Sequence, residues 1–141
     1  MIQMSPFLRT FLVLGGVTFL GPLAMDSSLP AFGAMQADLG VSAGVVKMTL
    51  AAVTAGMAAG QIVFGPMADR FGRRPVLNLG LALFTIAALI IAFMDSAGPI
   101  IALRFVQGLG VSGVMIASRA VVRDQFDVAD SARLYAYLLV V

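Results

Sequence analysis

Four charged side chains fall within eleven consecutive positions, GPMADRFGRRP (Gly65 to Pro75), between two long apolar runs. An acid beside three arginines is an acceptor among fork-shaped donors. Asp69 is therefore expected to accept hydrogen bonds from Arg70, Arg73 or Arg74, or from the amides of a helix N-terminus. Gly65 and Pro66 are expected to end one span, and Gly72 to supply the tight backbone of a short link to the next. Asp124, after Arg123 near the end of a later apolar run, is the candidate partner for Arg73 or Arg74. Two more charges, Asp26 and Arg104, stand inside apolar sequence, where a charge at membrane depth is costly and must face a partner or a wet cavity. Arg104 is five residues beyond Pro99, about 7.5 Å along a helix. With the first run ending at Phe32, Asp26 lies about 9 Å from the same surface. Opposite charges at similar depth make a candidate pair. The bland alternatives are that Arg104 snorkels to the interface and that Asp26 caps its span.

The elements that must carry these residues follow from composition. Mean hydropathy is +1.01, and 11% of residues are charged against about a quarter in soluble proteins. Histidine and cysteine are both absent, which removes the usual metal ligands, thiol chemistry and disulfides. No nucleophile–base set or metal cluster is evident, so neither an enzyme nor a cofactor is expected. The net charge of +2 forms no basic face for nucleic acid. The partner that composition implies is the lipid bilayer.

Crossing a bilayer takes roughly 20 helical residues. Runs of about that length cover approximately residues 10–32, 45–64, 76–94 and 99–122, and a fifth, LYAYLLVV, begins near Leu134. Because the runs are continuous rather than alternating, helices are expected and not barrel strands. A cleaved signal is disfavoured for the first run, whose apolar stretch exceeds the about 7–15 residues of a signal core. Asp95 to Gly98 leaves only a tight connection, so the third and fourth spans should form an antiparallel hairpin. Seven arginines (9, 70, 73, 74, 119, 123 and 133) fall on one side against Lys47 on the other. The positive-inside rule then puts the N-terminus and the GPMADRFGRRP segment in the cytoplasm. Ala52, Gly56 and Gly60, with Gly108 and Ser112, give small-residue faces that suit close helix packing. Gln61, Asn78 and Thr85 are polar positions within spans, expected to be mainly structural.

The Gly65–Arg74 segment resembles the G-x-x-x-D-R-x-G-R-R loop signature of the major facilitator superfamily at every defined position. RFVQGLG (Arg104 to Gly110) is similar to that family's R-x-x-Q-G-x-G fourth-span pattern, and GPLAMDSSLPAF (Gly21 to Phe32) to the D-x-x-x-P pattern of drug/proton antiporters. Together with SRAVVRD (Ser118 to Asp124), this last stretch most resembles the bicyclomycin and chloramphenicol resistance (Bcr/CflA) subfamily. The resemblance implies an all-α membrane bundle, with four complete transmembrane helices and the start of a fifth. Residues 1–141 would be the N-terminal part of a 12-span, two-halved transporter, whose missing C-terminal half is its partner. It implies a multi-pass protein of the bacterial inner membrane that exports amphipathic drug-like molecules in exchange for protons. Asp26, Arg104 and Gln107 would serve coupling and the transport cavity. Gly65, Asp69, Arg70, Gly72, Arg73, Arg74 and Asp124 would form a cytoplasmic gate. A transporter of sugars, osmolytes or organic acids, and a four-span interaction protein without transport, are the alternatives.

Overall fold

The computed structural model describes residues 6–26, 30, 32–127, 129–132 and 136. The described residues are almost wholly helical and contain no strand. Among the described residues the helices are, in order, α1 (Pro6–Thr18), α2 (Leu20–Asp26), α3 (Phe32–Leu39), α4 (Ala43–Phe71), α5 (Arg73–Ile91) and α6 (Ala97–Gln125). By length and apolar composition α4, α5 and α6 can each cross a membrane, and a shorter apolar helical stretch covers Leu12–Leu23.

The first run is divided. The Phe19 N–H donates to the Gly15 carbonyl at 3.0 Å and the Leu23 N–H to the Phe19 carbonyl at 3.0 Å, so helical bonding carries past the break. Pro22 has no N–H for the Thr18 carbonyl, and its ring crowds that carbonyl. The Thr18 hydroxyl meanwhile donates back to the Leu14 carbonyl at 2.8 Å. α2 is described as far as Asp26, and Phe32, expected to close the run, opens α3 instead. Of the fifth run only residue 136 lies among the described residues.

Gly65 and Pro66, expected to end the second span, do not end the helix. α4 continues through both to Phe71. Proline costs a helix one hydrogen bond, but membrane helices tolerate it. Here Pro66 is exposed, away from the packed seam. The eleven-residue charged segment is thus mostly helix, and Gly72 alone links α4 to α5. Its φ of 91° lies where a side chain would be strained, as the expected tight link requires.

α6 is the axis of the bundle: α1, α2, α4 and α5 all pack on it, while α4 and α5 barely touch each other. A Cβ on Gly108 would collide with the Val53 carbonyl oxygen, and one on Gly56 with that of Phe105. Gly60 receives the Ser112 side chain one turn further along. Those four small residues therefore act in packing, as expected. A second close approach, between Gly80 of α5 and Gly110 of α6, would put an added Cβ 2.6–2.7 Å from the opposing carbonyl oxygen. Lipid offers no hydrophobic drive between helices, so such backbone proximity, with its many dispersion contacts, holds them together. Phe64, Ala68, Val76 and Ala117 form a buried cluster where the three helices meet beside the Gly72 turn.

Candidate functional site

The Gly72 turn gathers the sequence's most charged stretch at one end of the bundle. The Arg73 guanidinium donates to Asp69 Oδ1 at 3.0 Å, to Asp124 Oδ2 at 3.1 Å and to the Ala68 carbonyl at 2.7 Å. One side chain thereby ties the last turn of α4, the first of α5 and the last of α6. The Ala68 carbonyl, which also accepts the Gly72 N–H at 3.2 Å, belongs to the C-terminal turn of α4. A cation there opposes the negative end of the helix dipole. The carboxylates are well exposed and the guanidinium about a quarter exposed. Water therefore weakens each ion pair, and orientation matters more than energy.

The other charged residues here are less engaged. Arg70 lies over the Phe71 ring at 5.4 Å. Arg74 is exposed and makes no ion pair among the described residues. Gly65 sits within α4 with open space where a side chain would be, so it makes no turn. Of the two arginines expected for Asp124, Arg73 is the one that reaches it. Its third partner, the Ala68 carbonyl, was not anticipated, because a main-chain acceptor carries no letter in a sequence.

A second polar region lies inside α6. Arg104 donates to Gln107 Oε1 at 3.2 Å, one turn on. Arg104 is half-buried and Gln107 almost fully buried, at 4% exposure. Two contacts fix how the first helices lie beside α6. The Thr10 hydroxyl donates to Gln125 Oε1 at 3.2 Å, and a Cβ on Gly21 would rest 3.4 Å from Val111 Cγ1. α1 and α2 therefore run antiparallel to α6. Asp26, the last residue of α2, is five residues past Gly21, or about 7.5 Å. Gln107 and Arg104 precede Val111 by four and seven residues, or about 6 and 10.5 Å. The Asp26 backbone thus lies at the depth between Gln107 and Arg104.

Sequence reasoning took Ser112 only as a small packing residue and Ser118 only as part of a motif; both are buried hydroxyls on α6 whose Oγ atoms have no hydrogen-bond partner among the described residues. Within an apolar run, nothing separates a buried serine from a lipid-facing one. No group of side chains suited to a metal ion occurs among the described residues.

A long apolar bundle whose charges collect at one helix turn and at one depth of its central helix is the plan of a multi-pass membrane protein. This chain belongs to the Major Facilitator Superfamily, whose model matches residues 14–141. It is 40% identical over 88% of its length to a bicyclomycin resistance protein homolog of Haemophilus influenzae, of which it covers 31%. It is 38% identical over 82% of its length to a chloramphenicol resistance protein of Pseudomonas aeruginosa, covering 27%. With an uncharacterised MFS-type transporter, YdgK, of Bacillus subtilis it shares 36% identity over 92% of its length, covering 32%. The chain spans about a third of the length of these relatives.

Proposed function

We propose that this chain contributes to a proton-coupled exporter of amphipathic drug-like molecules in a bacterial inner membrane. One observation carries the reading: a half-buried Arg104, bonded to buried Gln107, at the depth where α2 brings Asp26. An ionised carboxylate in an apolar cavity is stabilised by a nearby guanidinium. Drawn away from that cation, it takes up a proton instead. A cavity that opens alternately to either side can use this exchange to move protons one way and substrate the other. The relatives named for bicyclomycin and chloramphenicol resistance support a drug as substrate.

In this reading α1 and α2 together make the first span, residues 1–141 are the N-terminal part of the transporter domain, and the rest supplies a second half that rocks against them. The Arg73 cluster then faces the cytoplasm as part of the gate, because arginines crowd that end. Cysteine labelling checks the orientation in a chain that has no cysteine. An impermeant reagent added to intact cells should reach Asp95→Cys and leave Arg73→Cys unlabelled, and the reverse pattern would invert the topology.

The coupling test is drug uptake into inverted vesicles under an imposed pH gradient, using the polypeptide as the cell makes it. Asp26→Asn should abolish uphill transport while substrate binding persists, since amide and carboxylate share a shape. Wild-type coupled transport in that variant would leave Asp26 a helix cap and defeat the proposal.

A further inference from the structure

α6 ends on two neighbouring residues that hold two different helices. Asp124 Oδ2 accepts from Arg73, at the start of α5, at 3.1 Å. Gln125 Oε1 accepts from the Thr10 hydroxyl of α1 at 3.2 Å. Consecutive residues of an α-helix stand about 100° apart, so the two side chains reach neighbours on adjoining sides. The turn that carries them is held beyond its own end. The Phe126 N–H donates to the Val122 carbonyl at 3.1 Å, and the Ser131 hydroxyl to the Phe126 carbonyl at 3.3 Å. Asp127 Oδ1 in turn accepts from the Asp130 N–H at 2.8 Å. A pull on Gln125 therefore moves Asp124 with it.

α1 is the neighbour best able to deliver such a pull. On the α4 and α5 sides of α6 a Cβ at Gly108 or Gly110 would strike an opposing carbonyl oxygen. On the α1 and α2 side Gly21 faces only the Val111 side chain, at contact distance. Leu14 and Gly15 of α1 are buried, whereas Leu8, Leu12 and Val13 are exposed. A shift of α1 over α6 thus meets little steric opposition, and the Thr10–Gln125 bond holds its foot. A neutral hydrogen bond near water is weak on its own, so it is able to break and re-form within a transport cycle. Helical bonding carries from Gly15 past the break to Leu23. Asp26 lies sixteen residues on from Thr10, about 24 Å along the axis.

We infer that Gln125 is a positioning residue of the cytoplasmic gate: through Thr10 it ties the foot of α1 to the reach of Asp124 for Arg73. The inference rests on the exporter reading above, in which Asp26 at the end of α2 carries the proton. A shift of the first span that follows a change of charge at Asp26 arrives at Gln125. The last turn of α6 then passes it to the Asp124–Arg73 pair. Gln125 itself touches neither proton nor substrate. Both partners of the Thr10–Gln125 bond are uncharged, so it signals position without competing with the carboxylates for Arg73.

Two spin labels across the gate test this without reading transport. Arg74→Cys on α5 and Arg123→Cys on α6 each carry a nitroxide, in the polypeptide as the cell makes it, reconstituted into lipid vesicles. Both positions are exposed, and neither makes an ion pair among the described residues. Their dipolar spectrum reports the spread of distances between the two helix ends. Thr10→Val, on a helix that bears no label, should widen that spread, and Gln125→Asn, whose amide is too short to reach, should widen it equally. Thr10→Ser keeps the donor and should leave the spread narrow. With Arg73→Ala already present, Thr10→Val should add nothing. An unchanged spread in Thr10→Val overturns the inference. Widening that is additive with Arg73→Ala overturns it too, because α1 would then act on α6 by another route. Drug uptake into inverted vesicles should fall about threefold in Thr10→Val and in Gln125→Asn. Widening in a protein whose wild type exports no drug would uphold the link while the export reading failed.

Discussion

Arg73 and Arg104 are the same side chain in opposite circumstances. Arg73 stands at the water-facing end of the bundle with three acceptors from two helices, two of them carboxylates. Arg104 is half-buried in α6, bonded to an amide one turn away on its own helix. Water screens exposed ion pairs, so the Arg73 cluster orients the ends of α4, α5 and α6 more than it stabilises them. A half-buried cation is costly in an apolar span. In the export reading proposed above, that cost is tolerated because the cation meets the proton-carrying acid or the substrate. Arg73 joins the ends of two other helices to its own, whereas Arg104 holds its charge within a span.

That contrast is best broken at Arg104. Arg104→Leu should remove uphill export by at least about tenfold while the amount of protein in the membrane stays the same or rises. A fall in membrane level with specific activity intact would make Arg104 structural. Arg73→Ala comes next, because it frees two carboxylates and the Ala68 carbonyl together. Export should drop severalfold, and the melting temperature in detergent should fall slightly. Asp69→Asn and Asp124→Asn should each do less, lowering export at near-normal membrane levels. Because they share Arg73, the double variant should cost less than the sum of the singles. Strict additivity would show that the two acids act through different partners. The smallest effect is expected at Arg74→Gln, which leaves the cluster intact and should change export within error. A loss as large as that of Arg73→Ala would move the fastening from Arg73 to its neighbour.

Apolar run length and the arginine-rich turn carried most of the architecture. α5 and α6 lie within a few residues of their runs, and Asp124 meets one of its two expected partners from 51 positions away. Gly65-Pro66 misled because glycine and proline read as a stop in water. In a long apolar helix a proline on an unpacked flank costs one hydrogen bond and need not end the element. Pro22 shows the same bond missing where the helix does break. The Gly80–Gly110 contact was illegible for a different reason. Only the crossing of α5 and α6 brings Gly80 against Gly110 and Gly113, and nothing in the sequence says which faces cross. The depth match between Asp26 and Arg104 was estimated from span ends, but the Gly21–Val111 and Thr10–Gln125 contacts give it a physical gauge.

The glycine contacts on both sides of α6 also limit how the molecule can move. At Gly56–Gly108 and Gly80–Gly110 main chain presses on main chain, and no flexible side chain lies between to absorb a shift. Like meshed gears under load, α4, α5 and α6 cannot slip past one another by a single residue without driving a Cβ into a carbonyl. Against such sliding the three helices behave as one stiff block. Compliance falls to the first helix, where Pro22 leaves the Thr18 carbonyl without its main-chain donor and where the chain leads directly to Asp26.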